Sequence, residues 1–328
     1  MDPAIGVGRL GPDGTSDRAL HDVAAIRHGS RTWAVLRRDP WFWLGLAIVA
    51  SLVIVAVLAP LLAPHDPMFQ YRREGLTPAG DPLGPGDRFA LGTDKLGRDY
   101  LSRLLYGART SLAIAFIANS IASLIGLTVG ATAAFVGSPR VRIPLTRRRI
   151  RVPVESVLMR LTDLALSFPV LLLAIALGSV VGQSLWLVVA VISSILWATT
   201  ARIIYGRVLV LRDAPFVEAA RAVGCRSARI LRRQILPHVL PLVVVYSALG
   251  IAASILFETT LTYLGAGVPG ATPTWGTLLN DNFSYYRTIP LLVVLPGLAV
   301  TLTVLGFTLL GDALRDALDP RARPGRLG

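Results

Sequence analysis

Several residue types that soluble proteins use freely are scarce in this chain of 328 residues. The single cysteine, Cys225, excludes an intrachain disulfide. Charged residues make up 16% of the sequence, against about a quarter in an average soluble domain. No two of the 4 histidines have the spacing of ligands on one helix, which argues against a His-x-x-x-His metal site: His21, His28, His65 and His238. The composition therefore points away from a disulfide-stabilised or ordinary soluble protein.

Lysine is scarcer still, since Lys95 is the only one in the chain. A P-loop needs a lysine after a glycine-rich turn in order to reach the phosphates of a nucleotide. Lys95 lies in the segment Leu91-Gly92-Thr93-Asp94-Lys95-Leu96-Gly97, which is not that pattern. We therefore expect this chain to bind no nucleotide and not to hydrolyse ATP by itself.

Long uncharged apolar runs dominate what is present, and 53% of the residues are hydrophobic. A helix of roughly 20 residues crosses the hydrocarbon core of a bilayer. The run from Leu164 to Ala201 is too long for one such helix and is interrupted by Gly178 and Gly182. We therefore predict an all-α membrane protein with six transmembrane helices, at 41–62, 111–136, 158–180, 184–205, 238–261 and 289–310.

Four segments are predicted along the chain. Residues 1–40 form an N-terminal tail, and 41–110 contain the first span and a polar connection. Residues 111–311 form a five-helix core that contains a basic loop at 206–237, and 312–328 form a C-terminal tail. The polar connection is predicted to end in a separate amphipathic helix, Asp99 to Thr110, with its apolar side (Tyr100, Leu101, Leu104, Leu105, Ala108) opposite its polar side (Arg98, Ser102, Arg103, Arg109).

Basic residues are unevenly divided among the connections, and this division predicts the orientation. Six spans place both termini on one side of the membrane, together with 25 basic residues, against eight on the other side. Because Lys and Arg favour the cytoplasmic side, both termini and the 206–237 loop are predicted to be cytoplasmic. The net charge of +13 is explained in the same way, and we do not interpret it as nucleic-acid binding.

The most informative segment lies in the 206–237 loop and reads Phe216-Val217-Glu218-Ala219-Ala220-Arg221-Ala222-Val223-Gly224. Pro215 is typical of the first turn of a helix, and Glu218 suits the positive N-terminal end. Gly224 can adopt the left-handed conformation that ends a helix. We predict a short helix with a smooth surface at its two alanines, then a bend, then an Arg-rich helix that leads back to the membrane.

This segment resembles the signature loop of permease subunits in type I ATP-binding-cassette (ABC) importers, since Glu-Ala-Ala is followed by Gly224 and later by Leu236-Pro237. In that family the loop forms a coupling helix, which docks into a cleft on the ATPase subunit. The resemblance therefore implies a set of ATPase-coupling residues: Phe216, Glu218, Ala219, Ala220, Arg221, Gly224, Leu236 and Pro237.

Four further blocks, at 91–109, 160–169, 264–276 and 310–321, resemble the second permease subunit of dipeptide and oligopeptide importers. The resemblance spans about residues 33–323 and implies a permease in the cytoplasmic membrane of a bacterium that carries peptides. Nickel or another small solute is the alternative cargo. The first block supplies an extracytoplasmic family motif: Gly92, Asp94, Gly97, Arg98 and Asp99.

The resemblance also implies partners. They are a homologous permease subunit, two ATPase subunits that bind ATP and magnesium, and an extracytoplasmic substrate-binding protein, with membrane lipid around the assembly. No cofactor, metal or nucleic acid is expected on this chain, which would be a non-catalytic subunit.

Two acids, Asp163 and Glu258, lie at or inside predicted spans. Acids in hydrocarbon are costly, so each either lines the transport pathway or lies near a helix end at the membrane interface. A secondary transporter would use paired acids of this kind, but internal repeats are not evident. A membrane-embedded hydrolase is disfavoured because Gly-x-Ser-x-Gly is absent and His238 has no evident serine partner.

Overall fold

The computed structural model describes residues 33–137, 140–142, 149–151, 153–169, 172–173, 175–176, 180 and 182–318. Its helices are α1 (Pro40–Leu62), α2 (Tyr100–Val136), α3 (Val154–Ser167), α4 (Leu185–Leu211), α5 (Pro215–Ala222), α6 (Ser227–Ile230), α7 (Leu236–Tyr263), α8 (Trp275–Asn282) and α9 (Leu291–Leu318). A π-helical turn, Leu231–Ile235, joins α6 to α7, and a 3-10 turn, Phe283–Tyr285, follows α8. Residues 1–32 of the predicted N-terminal tail and 319–328 of the C-terminal tail lie outside this description.

Five helices of the described residues are long and apolar enough to cross a membrane. They are α1, α2, α4, α9 and the continuous helix Ser227–Tyr263 that α6 and α7 form together, and each overlaps one predicted span. The predicted third span, 158–180, begins inside α3 and then enters residues that are only partly described. The all-α membrane class is confirmed, and five spans in the described residues roughly match the predicted six.

Local caps decide where several long helices begin. Asp39, Asp99 and Ser184 each accept a hydrogen bond from a backbone N–H in the first turn of α1, α2 and α4, at 2.9 to 3.1 Å. Those N–H groups have no partner within the helix, so each cap contributes about 1 kcal/mol.

The predicted separate amphipathic helix is wrong in two respects. Residues 100–110 are the first turns of α2, which continues without a break to Val136, so the expected boundary at 110/111 falls inside one helix. Most of the polar side is also not solvated, because Arg103 and Ser102 are 1% and 0% exposed, and only Arg109 is exposed. Helical spacing predicted a polar side correctly, but it could not reveal that the preceding connection folds over that side and supplies partners for the charges.

Small residues let the spanning helices approach closely. A Cβ atom on Gly130 of α2 would lie 2.4 Å from the carbonyl oxygen of Ala201 in α4. Similarly, a Cβ atom on Gly45 of α1 would lie 2.9 Å from Leu309 of α9. Helices in lipid associate through such close packing, since lipid tails are as apolar as the side chains. The α2–α4 pair is accordingly the most extensive helix contact among the described elements.

Two short strands interrupt the helical pattern. The strands β1 (Arg140–Arg142) and β2 (Arg149–Arg151) pair antiparallel, with Arg140 opposite Arg151. They belong to the Arg-rich segment 138–151, in which the sequence predicted no regular element. Residues 312–318 of the predicted C-terminal tail are the last turns of α9.

Candidate functional site

The short helix α5 is built by local signals at both ends. Pro215 occupies its first turn with Glu218 close behind, as the sequence predicts. At the other end Gly224 has φ +81°, and its N–H donates to the carbonyl of Arg221 at 3.0 Å. The N–H of Cys225 donates to the carbonyl of Ala220 at 3.0 Å, which completes a Schellman motif. Because an L side chain is strained at this φ, Gly224 is the residue that lets the chain turn directly into α6.

One side of α5 is buried against the spanning helices. Val217 is fully buried and Ala220 is 8% exposed. Both belong to one apolar cluster that includes residues from the ends of α2 and α4, from α6, from the π-helical turn and from the start of α7: Ala131, Ala134, Ile204, Val208, Leu211, Ile230, Ile235 and Val239. The helix is therefore fixed to three spanning helices at once.

The opposite side of α5 is free. Phe216, Glu218, Ala219 and Arg221 are exposed. The expected smooth surface of two alanines needs a correction, because Ala220 faces the cluster and Ala219 alone is exposed. At 100° per residue, Ala220 lies three positions after the buried Val217 and so returns to the same side of the helix.

A ring contact adds a second link between α5 and α7. The rings of Phe216 and His238 stack with centroids 5.3 Å apart and an interplanar angle of 21°. His238 Nδ1 lies 2.5 Å from the carbonyl oxygen of Gln234, which fixes the ring one turn after the π-helical segment. Leu236 and Pro237 begin α7 beside it. Sequence reasoning missed the part of His238 in this link, since no local pattern relates positions 216 and 238.

The extracytoplasmic family motif forms the turn that leads into α2. Gly92 and Gly97 have φ of +79° and +73°. The side chain of Asp94 accepts from the N–H of Leu96 at 2.9 Å and of Arg98 at 3.0 Å. Asp99 then caps α2. All five motif residues thus shape one turn, at the end of α2 that is opposite to α5.

Ion pairs, largely buried except at Lys95, connect this turn to the last connection of the chain. Asp94 Oδ2 lies 2.6 Å from Arg98 Nε and 3.2 Å from Arg103 Nε. Asp281 at the end of α8 lies 2.9 Å from Lys95 Nζ and 3.3 Å from an Arg98 nitrogen. We call these five residues the ion network. It ties the 64–99 connection, α2 and α8 together, and sequence reasoning missed Asp281.

The two acids assigned to the pathway contact different elements. Glu258 of α7 is fully buried and accepts hydrogen bonds from Ser111 at 3.0 Å and Thr262 at 3.2 Å. Asp163 of α3 is exposed and pairs with Arg202 of α4. In this conformation Glu258 joins α7 to α2, Asp163 joins α3 to α4, and their assignment to the pathway stays a prediction.

Comparison with known proteins agrees with this geometry. The sequence profile of the "Binding-protein-dependent transport system inner membrane component" family matches residues 126–324, and that of the "N-terminal TM domain of oligopeptide transport permease C" matches residues 29–78. In the solved structure of the inward-facing MetNI methionine ABC transporter (CY5 native crystal form), one chain superposes with a TM-score of 0.51 at 18% identity. The match covers 67% of this chain and 98% of that one, and it shows the fold.

Curated relatives match over most of their length. The dipeptide transport system permease protein DppC of Alkalihalophilus pseudofirmus is 32% identical over 312 residues, 95% of this chain and 96% of the relative. The di/tripeptide permease DppC of Pseudomonas aeruginosa is 37% identical, covering 85% of this chain and 88% of the relative. The glutathione permease GsiD of Escherichia coli is 35% identical, covering 89% and 90%. This chain therefore belongs to the family of binding-protein-dependent transport system inner membrane components, the permeases of ABC importers.

Proposed function

We propose that this chain forms half of the translocation pathway of an ABC importer for dipeptides and oligopeptides in a bacterial cytoplasmic membrane. A homologous permease supplies the other half, two separate ATPase subunits bind ATP and magnesium, and an extracytoplasmic binding protein delivers the peptide. Both termini and α5 lie on the cytoplasmic side. The chain itself performs no catalysis and holds no cofactor.

The observation that carries this proposal is the construction of α5. Its free side presents Phe216, Glu218 and Arg221, a surface that a partner can engage. Its buried side is fixed to α2, α4 and α7 through the apolar cluster. Because packed cores change between discrete arrangements rather than deforming smoothly, movement of α5 by an ATPase is passed to the spanning helices.

Peptides are the proposed cargo because the relatives named for dipeptides, di/tripeptides and glutathione, itself a tripeptide, match most of this chain. Selection among peptides belongs largely to the binding protein, which captures them first. Ion-driven transport is disfavoured by the two candidate acids, since Glu258 is enclosed and Asp163 is paired.

The test is uptake of a radiolabelled dipeptide, dialanine, into vesicles that contain the assembled importer. We expect uptake to stop when the ATPase subunits are inactivated and to continue when the proton gradient is collapsed. Glu218→Ala is expected to lower uptake while the complex still inserts. Glu74→Ala is the matched control, since Glu74 is an exposed glutamate in the connection before α2, far along the chain from α5. Uptake that follows the proton gradient, or equal uptake by both variants, would contradict the proposal.

A further inference from the structure

A groove of about 310 Å³ opens between α2 and α7, lined by Phe116, Leu124, Leu127, Val243 and Ile251 together with four polar residues, Asn119, Ser120, Ser123 and Ser247. Asn119 lies near the midpoint of α2, and Ser247 lies near the midpoint of α7. The polar residues therefore form a seam halfway along two spanning helices, where apolar side chains are the norm. We call this feature the polar seam.

Two groups in the polar seam have unused hydrogen-bonding capacity. Asn119 Nδ2 donates to the carbonyl of Ser247 at 3.1 Å, whereas its Oδ1 accepts no hydrogen bond from the described residues. The Ser120 side chain is exposed, and its hydroxyl also has no partner within the described part of the chain. Serines elsewhere in the spanning helices behave differently: Ser193 of α4 and Ser254 of α7 donate to carbonyls one turn earlier, at 2.7 and 2.8 Å.

The surrounding packing holds the seam in place. A Cβ atom on Gly250 would lie 2.1 Å from Asn119 Oδ1, so the absence of a side chain at position 250 makes the space for the amide. The hydroxyls of Ser123 and Ser247 lie 3.0 Å apart and join the two helices beside it. The seam is therefore a fitted arrangement of polar groups on rigid helices.

The free-energy cost of leaving polar groups without hydrogen-bond partners decides among possible occupants of the groove. Lipid tails would leave the Asn119 oxygen and the Ser120 hydroxyl without partners in an apolar medium, which is unfavourable. Water or a polar solute would satisfy them. An amide and hydroxyls match the N–H and C=O groups of a peptide backbone, and the apolar walls suit peptide side chains.

We infer that the polar seam lines the translocation pathway and contacts the backbone of the passing peptide, an inference that rests on the proposed function. The residues that line the groove are all uncharged. The seam therefore does not discriminate among peptides by side-chain charge, which agrees with a permease whose binding protein selects the peptide. The pathway-lining residues of α2 and α7 inferred here are therefore different from the two acids that the sequence predicted.

Thiol accessibility in the assembled importer tests this inference. With Cys225→Ser as background, Ser120→Cys is compared with Ile121→Cys, which is the next position on α2 and is exposed outside the groove. The probe is a charged, water-soluble methanethiosulfonate reagent, applied to right-side-out and inverted vesicles. We expect the Ser120→Cys variant to react at least tenfold faster than the Ile121→Cys variant, and dialanine delivered by the binding protein to slow that reaction.

Each outcome decides the question. Equally slow reaction of both variants means that lipid or a helix of the partner permease covers the seam, and this overturns the inference. If Ser120→Cys does not assemble, Ser123→Cys provides the same comparison, since Ser123 also lines the groove. If the thiol at position 120 reacts fast but uptake does not depend on ATP, the proposed function is refuted while the water-accessible polar seam is supported. If uptake depends on ATP but the thiol at position 120 does not react, the proposed function is supported and the inference about the polar seam is refuted.

Discussion

The charged residues near the start of α2 depend on partners from distant parts of the chain. Asp94 and Arg98 are four positions apart, and the family motif already placed them together. Asp281 is 183 positions from Arg98, and nothing in the local sequence relates the two. The motif could therefore be predicted from sequence, whereas the burial of Arg103 and the ion network could not.

Removal of one acid from the ion network should be costly. Asp94→Ala leaves Arg98 and Arg103 buried with fewer partners, and breaking a buried pair from one side costs about 3–5 kcal/mol. We expect a marked drop in the thermal stability of the detergent-solubilised complex. Glu74→Ala removes an exposed pair with Arg88, worth about 0–1 kcal/mol, and should change little. Equal melting temperatures for the two variants would contradict this account.

The stacked rings of Phe216 and His238 should matter for coupling more than for assembly. Aromatic pairs contribute about 0.5–1.5 kcal/mol beyond area burial, so His238→Ala loosens the link between α5 and α7 without unfolding either helix. We expect fewer peptides transported per ATP hydrolysed. His238→Phe keeps a ring at the contact and should retain most of the ratio. A ratio that is unchanged in His238→Ala would remove the ring contact from the mechanism.

At the scale of elements, α5 shows which features the sequence can predict. Pro215, Glu218 and Gly224 act on the backbone next to them, so the bounds of the helix follow from capping rules. Which side of α5 is buried, and so whether Ala220 is buried, depends on how residues such as Ile230 and Val239 pack in the whole apolar cluster. The unbroken α2 was unpredictable for a similar reason, because its polar first turns are stabilised by other segments.

Two glycines allow a matched test of the turn after α5. Neither Gly224 nor Gly206 of α4 has an atom near the place of a Cβ, but only Gly224 has a positive φ. Gly224→Ala should therefore cost about 1–2 kcal/mol at the turn, whereas Gly206→Ala should be close to neutral. We expect Gly224→Ala to lower dialanine uptake at a given ATPase rate, and Gly206→Ala to transport normally. Normal transport by both variants would show that the left-handed turn is dispensable.

At the scale of the molecule, the proposed topology places the two ends of α2 on opposite sides of the membrane. Ala79 is exposed in the connection before α2, and Val223 is 85% exposed after α5. In a Cys225→Ser background, we expect a membrane-impermeant maleimide to label Ala79→Cys only from outside intact cells. Val223→Cys should be labelled only in inverted vesicles. The reverse pattern, or labelling of both from one side, would overturn the orientation derived from the basic residues.

The unbroken run of α2 also has a mechanical meaning. Its 37 residues make a rod of about 55 Å, whereas the hydrocarbon core is about 30 Å thick. One tip is held by the ion network, and the other packs against α5, the segment that the proposed function assigns to contact with an ATPase. A tilt of about 10° around the middle would swing each tip by about 5 Å, the height of one helical turn. Such a lever needs no hinge, so under the proposed function the movement of α5 inside the cell and the hand-over of cargo outside it would be two ends of a single stroke.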